Sequence, residues 1–190
     1  MTATTGVGGT AAVERMQGWG RQLGLTPLPD SNYVLMKAVV AVTVSAIPIT
    51  SIYLLGFLTG ARGPLGAWLL SGLVVLAGAA VFALYGLAVG LAVRSEAALA
   101  AASGSLVILA FMGNIFFPLS GTLLTLAKFT PLYGYVSLAR YPLTEGHLFN
   151  AAEGTVTHES LWVPVANVVV WAGVLALLSV RLVRRGRARQ

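Results

Sequence analysis

The chain has no cysteine, and only 9% of its 190 residues carry a charged side chain. The missing cysteines exclude disulfides, thiol catalysis and cysteine-ligated metals. The scarcity of charge has a wider consequence, because 57% of the residues are hydrophobic and a water-soluble domain of this length would have too little polar surface to cover itself. The composition therefore indicates an integral membrane protein.

Sequence motifs for nucleotide binding, zinc binding and catalysis are also missing. No G-x-x-x-x-G-K-[ST] sequence occurs, and neither Lys37 nor Lys128 follows a glycine-rich loop, so the chain has no P-loop for ATP. His147 and His158 lack the i, i+4 spacing of a helical zinc site, and no clustered carboxylates or paired nucleophile and base indicate an enzyme. We expect no catalytic residue, no cofactor and no metal.

Long apolar stretches dominate the sequence instead. Charge-free runs cover residues 38–61, 63–93, 97–127 and 160–180, each at or above the ~20 residues that an α-helix needs to cross the hydrocarbon core. The apolar residues of these stretches do not alternate with polar ones, as they would in the strands of a β-barrel. None of the stretches has an ionisable residue near its middle, where ion-coupled carriers usually have one. We predict an all-α polytopic membrane protein with four transmembrane helices, at residues 35–58, 67–93, 97–117 and 161–182.

Basic residues are distributed unevenly around these stretches. With the N-terminus placed in the cytoplasm, nine of the twelve lysines and arginines lie inside, and three, Arg62, Lys128 and Arg140, lie outside. This asymmetry follows the positive-inside rule and places both termini in the cytoplasm. The basic tail at residues 183–190 is then expected to lie on anionic lipid, and the net charge of +6 does not indicate nucleic-acid binding.

The remaining segments have distinct expected roles. Residues 1–13 are rich in Thr, Ala and Gly and are predicted to form a flexible N-terminus. Residues 118–159 are predicted to contain short re-entrant helices and a polar outer segment. The Gly86-x-x-x-Gly90 spacing permits close helix packing. The amides Asn114 and Asn167 either make interhelical hydrogen bonds or line a translocation path.

An amphipathic segment precedes the first predicted span. Its residues sort into two helical faces, an apolar one with Ala12, Met16, Trp19 and Leu23 and a polar one with Glu14, Gln17, Arg21 and Gln22. Such a helix lies either on lipid headgroups or in the groove of a partner, and periodicity alone does not separate these alternatives. We predict a cytoplasmic helix and turn at residues 14–30.

The amphipathic segment is followed by three proline-containing motifs, Thr26-Pro27-Leu28-Pro29, Phe116-Phe117-Pro118-Leu119 and Thr130-Pro131-Leu132-Tyr133. Together these features resemble the permease subunits of type-2 ABC exporters, and the daunorubicin-resistance permeases of bacteria in particular. The resemblance covers nearly the whole chain from Glu14 onward, and the order of the motifs is its strongest part.

The resemblance implies a fold of six membrane helices, with a cytoplasmic coupling helix between the second and third and re-entrant helices before the last. The four predicted spans correspond to the last four of these helices, and residues 118–141 to the re-entrant part. No two apolar spans precede Glu14. We therefore expect either a natural short form or a gene read from too late a start, in both cases without the first two helices.

The resemblance also implies a function. It makes the chain a multi-pass permease of the bacterial inner membrane that exports a lipophilic or amphipathic molecule, such as a drug, an antibiotic or a lipid-linked compound. A separate ABC ATPase would supply the energy, and a second permease copy or paralogue would complete the complex. The residues implied to couple the permease to the ATPase are Glu14, Arg15, Met16, Trp19, Arg21 and Leu23.

A function of another class is also compatible with the sequence. The chain could be a membrane anchor or assembly subunit that transports nothing and uses the N-terminal helix only to dock a cytoplasmic partner. Recovery of an ATPase with the chain fits both functions. Transport driven by ATP fits only the permease.

The predicted topology can be tested because the chain has no native cysteine. Single cysteines at Asn150 and Gln190 are expected to react oppositely with a membrane-impermeant thiol reagent added to intact cells. Position 150 should be labelled and position 190 should be protected until the cells are permeabilised. Labelling of position 190 alone would reverse the assigned orientation.

Overall fold

The computed structural model describes residues 2–18, 22, 25, 27–93, 97–150 and 154–187. The elements in these ranges are, in chain order, α1 Thr2–Met16, α2 Asp30–Leu58, α3 Leu65–Ala92, α4 Ala97–Met112, α5 Gly121–Ala127, α6 Pro131–Thr144, β1 His147–Asn150, β2 Thr155–His158 and α7 Trp162–Arg187. The two strands pair antiparallel, with His147 opposite His158. The predicted all-α fold is therefore corrected by one hairpin, which lies in the polar part of the sequence before α7.

Three helices, α2, α3 and α7, are long and apolar enough to cross a membrane. The 29 residues of α2 extend ~43 Å at 1.5 Å per residue, more than the ~30 Å of a hydrocarbon core. Large side chains on α2, such as Ile47, Ile52 and Phe57, are 66–71% exposed. Water does not tolerate so much continuous apolar surface, so these faces indicate contact with lipid in a membrane protein.

The third predicted span, at residues 97–117, is shorter in the structure. α4 ends at Met112, whereas the prediction extends to residue 117. Asn114 adopts a left-handed backbone conformation with φ 58°, and its side-chain Oδ1 accepts a hydrogen bond from the backbone N–H of Leu119 at 2.7 Å. This turn ends the helix after 16 residues, fewer than the ~20 that a span needs. The described residues thus contain three membrane-capable helices where four are predicted.

The other helix ends differ from the prediction by smaller amounts. α2 begins at Asp30, five residues early, directly after Pro27-Leu28-Pro29. An aspartate in the first turn suits the positive end of the helix dipole. α7 continues to Arg187, so much of the predicted tail at 183–190 is helical. The short helices α5 and α6 lie within 118–159, as predicted, and their re-entry into the bilayer stays a prediction.

The chain divides into two compact units. Unit 1 consists of Met1–Ile47, Ala77–Ser105 and Ala172–Gln190, and unit 2 of Pro48–Leu76 and Leu106–Trp171. The core of unit 1 is made of buried, mostly small residues, namely Ala3, Val7, Ala11, Val34, Ala41, Ala79, Ala83, Leu87 and Val183. The core of unit 2 includes Leu119, Ala127 and Tyr133, with Met112 and Leu124 packed against them.

The N-terminal residues form a helix, which corrects the prediction of a flexible segment at 1–13. α1 has three glycines among its 15 residues, a composition that disfavours an isolated helix. The structure supplies the missing stability by burying Ala3, Val7 and Ala11 in the core of unit 1. The helix therefore depends on contacts distant in sequence, which local composition does not reveal.

The contact between α1 and α3 brings two backbones together. A Cβ atom added to Gly8 would lie 2.9 Å from the carbonyl oxygen of Gly86. Cβ atoms added to Gly86 and Gly90 would overlap the backbones of Thr4 and Gly8. Such overlap cannot be relieved by moving a side chain, so only glycine fits at these positions. The spacing of Gly86 and Gly90 thus serves helix packing inside one chain in this structure.

We expect Gly86→Ala to destabilise the protein in detergent. The added methyl group would force α1 away from α3, at a cost of about 1–3 kcal/mol for overpacking. Gly173→Ala on α7 is the matched control, since a Cβ atom there meets nothing within 4 Å. The midpoint of thermal unfolding should fall for Gly86→Ala and be unchanged or slightly raised for Gly173→Ala. Equal midpoints for the two variants would contradict the close contact.

Candidate functional sites at the end of α1 and beside α6

The end of α1 is attached to α2 through Glu14. One carboxylate oxygen, Oε1, lies 2.5 Å from Nζ of Lys37, and the other, Oε2, accepts a hydrogen bond from the Tyr33 hydroxyl at 2.6 Å. The side chains of Lys37 and Glu14 are only 17% and 25% exposed, so solvent screens this ion pair less than a surface pair. Glu14, predicted to couple to a partner ATPase, is therefore paired within the chain.

The two residues after Glu14 have different surroundings. The Arg15 guanidinium donates a hydrogen bond to the carbonyl of Leu91 in the last turn of α3, where helix carbonyls lack intrahelical partners. Met16 is 56% exposed and Val13, one turn earlier, is 45% exposed. This apolar pair is the part of α1's end that a partner can contact. α1 ends at Met16 and Gly18 adopts φ 74°, so the helix predicted from residue 14 onward is interrupted at this point. The predicted coupling residues Trp19, Arg21 and Leu23 lie outside the described residues.

The second group of polar contacts, in unit 2, holds the loop between α5 and α6 against α7. The side-chain amide of Asn167 donates to the carbonyl of Lys128 at 2.6 Å, and the indole N–H of Trp171 donates to the carbonyl of Phe129 at 3.0 Å. Asn167 also packs directly on Gly134, where a Cβ atom would overlap the amide. Asn167, a predicted candidate for a translocation path, hydrogen-bonds a neighbouring loop in this structure.

Asn114 is the other predicted path residue, and it lies at the turn after α4. Besides its side-chain bond to Leu119, its carbonyl accepts a hydrogen bond from Nη1 of Arg140 at 2.8 Å. Asn114 also lines a cavity of about 250 Å³ in unit 2, together with Arg140 and His147. A role of either amide in transport stays a prediction.

A buried polar cluster, not predicted from the sequence, lies next to this cavity. The Tyr133 hydroxyl, on a side chain of a residue only 1% exposed, lies 3.0 and 3.1 Å from the two carboxylate oxygens of Glu159. Lys128 forms an ion pair with the same carboxylate at 2.9 Å. Burial and the neighbouring negative charge of Glu159 raise the pKa of Tyr133, so the hydroxyl stays protonated and donates its hydrogen bond. We name Lys128, Tyr133 and Glu159 the outer polar cluster.

The sequence contained little indication of this cluster. Glu159 stands out only as one of several acidic residues and histidines before α7, and 26 residues separate it from Tyr133. Among the residues that the structure describes, no three His, Cys, Asp or Glu side chains come together to hold a metal. The cluster consists of mutually paired groups, so its arrangement suits fixing α6 and the segment before α7 rather than catalysis.

We expect Glu159→Gln to lower stability, because the amide keeps the size of the side chain but removes the charge that holds Lys128 and Tyr133. A buried hydrogen bond to a charged group contributes about 1.5–3 kcal/mol, so the thermal midpoint should fall by several degrees. Glu145→Gln, an exposed residue at the end of α6, is the matched control. Equal midpoints for both variants would contradict a stabilising role of the cluster.

The chain was compared with known proteins. A protein of Bacillus subtilis (strain 168) named as a transport permease, YvfS, is 34% identical over 107 residues, which make up 55% of this chain and 43% of the relative. The chain thus matches less than half of that protein's length. No family model matches the chain, and no solved structure matches it. This similarity, with three membrane-capable helices, supports a transport permease.

Proposed function

We propose that the chain is the transmembrane subunit of an ABC exporter for a lipophilic or amphipathic molecule, energised by ATP that a separate subunit hydrolyses. The observation that carries the proposal is the similarity to a transport permease. Three apolar helices and the missing P-loop support it, because they provide a membrane path but no site for nucleotide. The proposal includes a second permease copy or paralogue, insertion in the bacterial inner membrane, and cytoplasmic termini.

The end of α1 is the proposed docking element for the ATPase. Exposed Val13 and Met16 present an apolar face, while Glu14 and Arg15 tie the same turn to α2 and α3. An ATPase that buries Met16 would therefore contact a helix end that is already held in place.

Docking is tested by recovering the ATPase with the tagged chain from membranes of its own host. Met16→Asp is expected to reduce the recovered ATPase at least tenfold, since a buried apolar anchor at an interface contributes about 2 kcal/mol or more. Gln17→Asp is the matched control, because it adds the same charge at an exposed neighbouring position on the polar face. Trp19→Ala is expected to act like Met16→Asp.

Equal recovery with Met16→Asp and with the unchanged chain would contradict docking through the apolar face. Equal loss with Gln17→Asp would show a general effect of negative charge instead. Both variants should be compared at equal abundance in the membrane.

Transport is tested in inside-out vesicles that contain the chain and the recovered ATPase. We expect ATP-dependent uptake of a lipophilic dye, Hoechst 33342, and loss of this uptake in the Met16→Asp variant. A membrane anchor would recover the ATPase without any such uptake. ATP-dependent uptake that is unchanged when the chain is omitted would overturn the assignment as a permease.

A further inference from the structure

The cavity beside α6 is lined by both charged and aromatic side chains. Its volume is about 250 Å³, and it is lined by the segment after α4, by α6 and by β1. Its lining includes the cationic side chain of Arg140 and the phenylalanines Phe116, Phe117 and Phe149. A cavity lined by both a charged group and aromatic rings matches an amphiphile, which has a polar head and an apolar body.

The lining contains one charged side chain of each sign, Arg140 and Glu159. Arg140 donates one hydrogen bond to the Asn114 carbonyl, and no carboxylate lies within ion-pair distance of it among the described residues. Its guanidinium has five N–H donors, so most of them can serve a ligand. The acidic group of the lining, Glu159, is already paired with Lys128 and Tyr133 in the outer polar cluster. Arg140 can therefore bind an anionic ligand, because the carboxylate of Glu159 is already paired with other residues.

The phenylalanines that line the cavity are also partly exposed on the surface. Phe116, Phe117 and Phe149 are 61%, 48% and 55% exposed, and the ring of Phe111 lies against that of Phe116 with centroids 4.8 Å apart. A cavity of 250 Å³ is smaller than the ~300–1,000 Å³ of pockets that enclose whole drug-sized ligands. The headgroup of an amphiphile fits inside it, and the apolar body would then extend over the exposed rings.

We propose that this cavity binds the anionic headgroup of an amphiphile, a phosphate or a carboxylate, with Arg140 as the charged contact and the phenylalanines as the apolar contact. A planar guanidinium suits such groups because it offers two parallel N–H donors to two oxygens. The ligand chemistry has two sources, a phospholipid of the surrounding bilayer or a separate molecule that the protein handles. Binding does not require transport or an ATPase, so this site stands or falls independently of the proposed function.

The test uses the full chain purified in detergent and two lipids with the same oleoyl chain, lysophosphatidic acid and monooleoylglycerol, which has no anionic group. Native mass spectrometry measures how much of each lipid stays bound over a range of concentrations. The unchanged protein should prefer lysophosphatidic acid. Arg140→Gln should weaken the binding of lysophosphatidic acid about tenfold or more, which is the size expected for a lost hydrogen bond to a charged group, and leave monooleoylglycerol nearly unchanged.

Arg62→Gln is the matched control, because Arg62 is another exposed arginine of unit 2 and does not line the cavity. It should retain the preference for lysophosphatidic acid. Phe149→Ala is the second variant, chosen because its exposed ring can be removed without disturbing the bond between Arg140 and Asn114. It should weaken both lipids and keep the preference between them, so the site stays testable even if Arg140→Gln unfolds.

Three results would overturn the site: equal binding of both lipids by the unchanged protein, a preference that survives in folded Arg140→Gln, or a preference lost equally in Arg62→Gln. Competition then separates the two sources. If phosphatidylglycerol at equal concentration displaces lysophosphatidic acid, the occupant is a bilayer lipid. If it does not, the occupant is a separate single-chain amphiphile, and both results support the anionic site.

Discussion

Hydrocarbon offers the backbone no hydrogen-bond partners, so a membrane protein has to pair its backbone groups internally. Inside α2, α3 and α7 most backbone groups pair within the helix, apart from the interruption at Pro48, which has no N–H. In the loop between α5 and α6, the side chains of Asn167 and Trp171 donate hydrogen bonds to two backbone carbonyls. Polar side chains on an apolar helix thus complete the backbone of a neighbouring loop. Their presence in an apolar stretch does not by itself indicate a path for a substrate.

The contact between α1 and α3 depends on close packing of two backbones. Packing of this kind also holds helices together in lipid, where the hydrophobic effect does not drive their association. Glycine at Gly86 and Gly90 lets the backbone of α3 approach that of α1 at Thr4 and Gly8. At the end of α3, where carbonyls lack partners, the Arg15 guanidinium donates to Leu91. Packing holds the middle of α1, and a charged hydrogen bond holds its end.

Sequence patterns predicted α2, α3 and α7, because apolar runs without charge have few stable forms besides a membrane helix. The same patterns missed α1, whose glycines read as flexible until Gly86 and Gly90 are placed beside them. They also missed the end of α4, which depends on the left-handed conformation of Asn114, and the hairpin, whose strands have only four residues each. The outer polar cluster was not predictable either, since its members are distant in sequence. Local composition thus predicted the long apolar helices. It did not predict the features that depend on contacts distant in sequence, such as α1 and the outer polar cluster, or on the conformation of one residue, such as the end of α4.

The contacts at the end of α1 limit how this segment can work as a docking element. Glu14 is bound to Lys37 and Tyr33, and the Arg15 side chain bonds to Leu91, so these charges stabilise the chain's own helices. Docking at Met16 would then require little ordering of α1, which lowers the entropic cost of association. Docking would also act on a helix that is hydrogen-bonded to the first turns of α2 and to the last turn of α3. A displacement at Met16 would therefore move α2 and α3 rather than bend a free tail, which suits the proposed coupling to an ATPase.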